Sequence, residues 1–149
     1  MAIEKLYDEV MMDHIKNARN YRVIPNAQRK AAAINRLCGD EITVYLSLRS
    51  EQIDDVAFRC SSCGISMASA SMMTDAVKGK SCAEARDLAR SVQARIEATE
   101  SENSSPLNSE LQTIVAALRQ FPARKTCVKL AWVALTLALE GEEETISVS

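Results

Sequence analysis

The residues in this chain best equipped for chemistry are five cysteines, Cys38, Cys60, Cys63, Cys82 and Cys127. An odd number of cysteines in a reducing compartment argues against a disulfide framework and leaves metal binding or thiol chemistry. His14 is the only histidine, so a metal site here must be mostly thiolate, with a carboxylate as the supplement. Three of the cysteines stand at element boundaries. Cys38-Gly39-Asp40 lies immediately before an expected strand, and Gly39 permits the tight turn that lets both neighbours face one point. Cys63 follows a strand and opens a helix. Cys127 lies at the start of the final helix, where unpaired backbone N–H groups and the positive dipole end favour thiolate. Arg124 and Lys125 add positive charge beside it. Long gaps separate the three, unlike the paired knuckles of zinc ribbons, so spacing alone does not establish that they converge.

Cys60-Ser61-Ser62-Cys63, between a strand and a helix, is also the local pattern of a thioredoxin-like redox site. No βαβ unit precedes it, and no proline is placed to form the facing cis turn, so a redox protein is the third reading. Other residues read as structural. His14 borders an apolar stripe and reads as a partly buried or docking-surface histidine rather than a ligand. Met67, Met72 and Met73 read as helix core rather than a copper site. Cys82 opens a helix without a partner motif and reads as an incidental thiol. Glu142 to Glu144 reads as a solvated tail.

The elements that must position these residues belong to one domain. The chain has 149 residues, of which 47% are hydrophobic and 26% charged. That length suits a single domain, 1–149, with a real core. The formal net charge of −2 implies no basic face, so nucleic acid is not expected as a partner. No apolar run approaches the roughly 18 residues that span a membrane. The N-terminus, Met1-Ala2-Ile3-Glu4-Lys5, lacks a signal-peptide core, and a cytoplasmic protein is expected.

Ile3, Leu6, Val10, Met11 and Ile15 form one apolar stripe, which predicts a helix over 3–17. Residues 21–37 read as irregular around Pro25. Glu41 to Arg49 alternates, with Ile42, Val44, Leu46 and Leu48 on one side, and predicts a half-buried strand. Ser50-Glu51-Gln52 reads as a hairpin turn into a partner strand over 53–59. Helices follow over 64–77, ended by Gly79, and over 81–97. Residues 100–106 are polar and small and read as a connection. A short helix over 107–118 is stopped by Phe121-Pro122, and the most apolar helix runs over 125–140 to Gly141. The last residues, about 142–149, read as a loose tail. The order is that of an α+β domain.

Several blocks together resemble a known family. They are Leu37-Cys38-Gly39-Asp40; Phe58 through Cys63-Gly64-Ile65-Ser66-Met67-Ala68-Ser69-Ala70-Ser71-Met72-Met73-Thr74; Lys78-Gly79-Lys80; and Phe121-Pro122-Ala123-Arg124-Lys125-Thr126-Cys127 with Leu130-Ala131-Trp132. Leu6-Tyr7 and Asp13-His14 through Asn20 fit the same pattern. Over nearly the whole chain they resemble the SufU branch of the IscU/NifU-like iron–sulfur cluster assembly proteins. The resemblance implies a small three-stranded antiparallel sheet packed by about five helices. It implies that Cys38, Asp40, Cys63 and Cys127 hold Zn²⁺ or a [2Fe–2S] cluster, with Cys38 as sulfur acceptor and Arg124 as a donor to a thiolate. It implies a scaffold that takes sulfur from a cysteine desulfurase of the SufS kind. The alternative is a zinc-dependent sulfurtransferase that activates the desulfurase without holding a cluster. The expected partners are that desulfurase and apo iron–sulfur recipients or other assembly factors.

The branch shows in particular residues. Thr126 stands where the scaffold branch usually has a histidine, and Phe-Pro-Ala-Arg-Lys replaces that branch's chaperone motif. The segment from Ser81 to Ser105 is likewise typical of the SufU branch. Three positions depart from the family pattern. Arg36 replaces a common proline, and Cys60 and Ser62 replace common glycines.

Overall fold

The computed structural model of this protein describes residues 2–36, 39–61, 64–97, 109–118, 122–141 and 145–147. Helix α1 (Ala2–Lys16) leads into strand β1 (Arg29–Asn35), followed by β2 (Asp40–Arg49) and β3 (Gln52–Ser61). Helices α2 (Gly64–Val77), α3 (Cys82–Glu97) and α4 (Ser109–Ala117) come next. A 3-10 turn, Pro122–Arg124, opens directly into α5 (Lys125–Leu139), and a short strand β4 (Thr145–Ser147) follows.

The sheet order is β3-β2-β1-β4. Strands β1, β2 and β3 are successive antiparallel neighbours, which is the three-stranded sheet the family resemblance implied. β4 adds three residues in parallel beside β1, pairing Ala33 with Ile146. The tail expected to be loose therefore contributes a strand, because the end of α5 returns the chain to the open edge of β1.

β1 was not visible in residue patterning. Arg29-Lys30-Ala31-Ala32-Ala33-Ile34-Asn35 has no alternation, and alanine has little preference for strands. The reason is its place in the sheet. Ala31 and Ala33 lie on the helix-facing side beside Val44 and Ile42, and α5 lies across β1 and β2, so small side chains there let the helix approach. β2 carries the alternation the sequence showed. Asp40, Ile42, Val44 and Leu46 face the helices and are buried. The β2–β3 hairpin turns at Ser50 and Glu51, with φ of 51° and 64°. Two left-handed residues make the tight turn whose twist matches the strands.

The helix layer is organised around α5. Trp132, Leu130 and Leu135 on α5 are fully buried with Phe58, Ile42 and Leu46 of the sheet. α3 begins with a reciprocal cap, in which Glu84 N–H donates to Ser81 Oγ at 3.0 Å and Ser81 N–H donates to Glu84 Oε1 at 2.9 Å. These bonds to Ser81, first through its backbone N–H, hold the Glu84 carboxyl below the usual carboxylate range. Cys82, the next residue, is 6% exposed and packs into the core, as an incidental thiol would. Among the described residues no helix is long and apolar enough to cross a membrane.

Helix α2 ties the domain together with hydroxyls. It buries Ser66, Ser69, Ser71 and Thr74 among Ala68, Ala70, Met72 and Met73. Buried hydroxyls must find partners, and these find them on other elements. Ser69 Oγ–H donates to the Val128 carbonyl at 2.7 Å. Arg19 N–H donates to Ser71 Oγ at 2.9 Å, and His14 Nδ1 is hydrogen-bonded to the same hydroxyl at 2.7 Å. His14 is 0% exposed, with its Nε2 3.1 Å from Glu110 Oε1. It sits where α1, α2 and α4 meet, with Nε2 close to Glu110 but without a hydrogen bond to it.

Candidate metal centre

The turn from β1 to β2 brings the first site residue into place. Gly39 has φ of +73°, and its N–H donates to the Asn35 carbonyl at 2.8 Å. A side chain at this left-handed position would cost about 1 kcal/mol or more, so glycine is the residue the turn demands. The turn delivers Asp40 as the first residue of β2, on the same face as Ile42 and Val44. That face points at the helices, and Asp40 is 5% exposed.

Cys127 arrives from the other layer. Arg124 occupies the N-cap of α5, and Cys127 stands three residues on, 1% exposed. The thiol donates to Asp40 Oδ2 at 3.5 Å. Ser66, in the first turn of α2 and 0% exposed, completes the cluster. Its hydroxyl lies 3.1 Å from the Cys127 carbonyl and 3.4 Å from Asp40 Oδ2. One serine proton thus serves two acceptors, one on each of the residues that meet.

Ser66 and Ser69 are one turn apart on α2 and hold the consecutive carbonyls of Cys127 and Val128. This clasp fixes the start of α5 against α2, and so fixes the thiol against the carboxylate. Ser66→Ala is expected to lower stability by about 1–3 kcal/mol, since it removes a fully buried partner from two acceptors. A urea unfolding curve with an unmoved midpoint would show that the clasp contributes nothing.

Sequence reasoning named Asp40 and Cys127 and missed Ser66. The available signal was the spacing of serines along an otherwise apolar helix. Cys38 and Cys63 lie outside the described residues. Described residues stand close on either side of them. Arg36 and Gly39 bracket Cys38, and Ser61 and Gly64 bracket Cys63. Glu41 pairs with Ser61, so Gly39 and Asp40 emerge at the same end of the sheet as the last residue of β3. Arg124 is exposed at the N-cap of α5. Cys60 is half-buried, and its thiol lies 3.7 Å from Met67 Sδ.

The donor chemistry fits a metal cation. Among the described residues the Asp40 carboxylate has two partners, the Ser66 hydroxyl and the Cys127 thiol, both neutral and at 3.4 and 3.5 Å. No cationic side chain among them pairs with it. A bound cation could serve as the counter-charge of this buried carboxyl. Sulfur and carboxylate oxygen are both donors that Zn²⁺ accepts. Among the described residues no group of three His, Cys, Asp or Glu side chains gathers at this site or elsewhere.

Comparison with known proteins places the whole chain. Residues 6–128 match the NifU-like N-terminal domain family. The chain is 36% identical over 141 residues to the zinc-dependent sulfurtransferase SufU of Bacillus subtilis strain 168, covering 95% of this chain and 94% of that protein. It is 36% identical over 146 residues to the iron–sulfur cluster assembly scaffold protein IscU of Streptococcus pyogenes serotype M1, covering 94% and 88%. Among solved structures, it superposes with a TM-score of 0.79 on the putative iron–sulfur cluster assembly scaffold protein for the SUF system from Fervidobacterium islandicum AW-1. That similarity is at 28% identity and covers 88% of this chain and 94% of the other.

Proposed function

Since this chain belongs to the NifU-like N-terminal domain family, we propose that it serves iron–sulfur cluster assembly, accepting sulfur from a cysteine desulfurase and holding a metal ion or a nascent [2Fe–2S] cluster. The observation that carries the reading is the buried Asp40–Cys127 pair, 3.5 Å apart at the sheet end where the segments bearing Cys38 and Cys63 join. The ligand set is Cys38, Asp40, Cys63 and Cys127. Three thiolates and one carboxylate complete a tetrahedral shell for Zn²⁺ or one end of a cluster.

A bound zinc ion would supply positive charge that keeps the thiolates deprotonated. The rest is done by side chains. Cys38 thiolate attacks the terminal sulfur of the desulfurase persulfide. A new S–S bond forms at Cys38, the old one breaks, and the desulfurase cysteine leaves as thiolate. Asp40 would be a hard oxygen donor among soft sulfurs, the most labile of the four ligands, and would orient the site. Arg124 adds positive charge at the helix end that carries Cys127 and acts as a donor toward a thiolate there. Apo iron–sulfur proteins or other assembly factors receive the product.

A second reading is favoured by one comparison. The Bacillus relative, similar over 95% of this chain, is named a zinc-dependent sulfurtransferase. In that reading the chain passes sulfur without holding a cluster. Anaerobic purification with metal analysis and a visible spectrum separates the two. Brown protein containing iron and acid-labile sulfide supports the scaffold. Colourless protein with one zinc, which stimulates a cysteine desulfurase, supports the transferase. Protein that holds neither metal and leaves the desulfurase rate unchanged contradicts both.

A further inference from the structure

We propose that Ser66 is a positioning residue of the metal centre, whose hydroxyl steers the Asp40 carboxylate toward the ion. The inference rests on the ligand set proposed above and adds to it the residue that makes Asp40 usable as a ligand. Ser66 is the third residue of α2 and is 0% exposed. Its Oγ lies 3.4 Å from Asp40 Oδ2 and 3.1 Å from the Cys127 carbonyl oxygen.

The sheet fixes Asp40 only as far as its backbone. Asp40 pairs with Asn35 across the β1–β2 ladder, and its carboxylate can still turn about the side-chain bonds. Among the described residues two groups touch that carboxylate, Ser66 and Cys127, and both meet Oδ2. They do not behave alike when a metal binds. A ligating cysteine gives up its thiol proton, so the Cys127 contact ceases to be a hydrogen bond. The Ser66 hydroxyl keeps its proton and stays a donor. Of the two, Ser66 alone can hold the carboxylate in both the empty and the loaded centre.

The residue type suits the task. Serine is neutral and leaves the carboxylate charge to the metal, whereas lysine or arginine would pair with it. The contact is longer than the usual O–H···O distance of about 2.5–3.0 Å, because the Cys127 carbonyl is nearer the same hydroxyl. The serine thus orients Asp40 without anchoring it, and the oxygen ligand stays able to leave. Partners of this kind, bonded to a ligand rather than to the metal, typically carry 10- to 100-fold in metal affinity.

The test is a double-mutant cycle in zinc affinity, read on the full chain by competition with a chromophoric chelator. Wild type, Ser66→Ala, Asp40→Ala and the double variant are compared. Alanine differs from serine by the hydroxyl oxygen alone, so the fold is retained. Ser66→Ala is expected to weaken zinc by about tenfold, and by no more than Asp40→Ala does. In the Asp40→Ala background the same serine change should matter by less than about twofold. Ser69→Ala is the control, since Ser69 bonds the next carbonyl rather than Asp40. Its cost in zinc affinity should be the same with and without Asp40. Equal losses from Ser66→Ala in the two backgrounds overturn the proposal and assign the effect to the clasp on α5. So does Ser66→Ala that binds zinc within about twofold of wild type. Wild type that takes no zinc contradicts the ligand set itself, and the proposal falls with it.

Discussion

Cys127→Ser is expected to lower zinc affinity by at least about 100-fold while leaving the chain folded. Changes in groups that merely support a ligand already cost 10- to 100-fold in metal affinity, so loss of a ligand sulfur should exceed that range. Serine is close to cysteine in size, and Ser66 and the first turn of α5 surround the position with polar groups. The metal-free protein should therefore unfold within about 2 kcal/mol of wild type. Asp40→Ala should act more gently on the metal, because three thiolates would remain to hold it. Competition for zinc against a chromophoric chelator, with thermal unfolding of the metal-free variants alongside, reads both effects. Cys127→Ser that holds zinc as wild type does would place the thiol outside the metal centre and reduce its contact with Asp40 to packing.

Cys38→Ser should separate holding metal from accepting sulfur. In the proposed reaction Cys38 is the nucleophile that takes the persulfide sulfur, and serine cannot make that S–S bond. Alanine and sulfide production by a partner cysteine desulfurase, measured under reducing conditions, should fall to the rate of the desulfurase alone. This should hold even where excess zinc restores occupancy of the variant. Full stimulation by Cys38→Ser at full zinc occupancy would remove Cys38 as the acceptor.

The contrast between what the sequence disclosed and what it hid has physical causes. β2 was legible because one face is buried and the other is not, so Ile42, Val44 and Leu46 alternate with exposed or half-buried partners. α2 was placed at 64–77, the span it occupies, because a run rich in Ala, Ser and Met lies ahead of the terminator Gly79. β1 was hidden because α5 presses on it. Ala31 and Ala33 share the helix-facing side with Val44 and Ile42, and Ala32 between them is buried on the other face, so three alanines carry no period. β4 was hidden because three residues beside an existing edge need no pattern of their own.

The candidate site divides in the same way. Asp40 stood out because Cys-Gly-Asp before a strand is a turn with donors, and Gly39 does take the left-handed conformation that turn requires. Cys127 at a helix start could equally have been a small core residue, and family blocks, not local pattern, singled it out. The structure shows why both descriptions apply, since the thiol is 1% exposed and still meets a carboxylate. Ser66 escaped notice because a serine in a helix has no signature until the carbonyl it serves is known. His14 was weighed as a partly buried residue. It is wholly buried because Ser71 and Glu110 come to it from elements 57 and 96 residues away in sequence.

The central claim is that Cys38, Asp40, Cys63 and Cys127 share one metal ion. Zinc K-edge X-ray absorption on the zinc-loaded protein tests it most directly. Three sulfur neighbours at about 2.3 Å and one oxygen at about 2.0–2.2 Å are expected, without imidazole scattering. Cys63→Ser should lower the sulfur count by one or abolish binding. Imidazole scattering would assign the ion to His14, the sole histidine, and a sulfur count unchanged in Cys63→Ser would exclude Cys63. Either result would contradict the proposed centre.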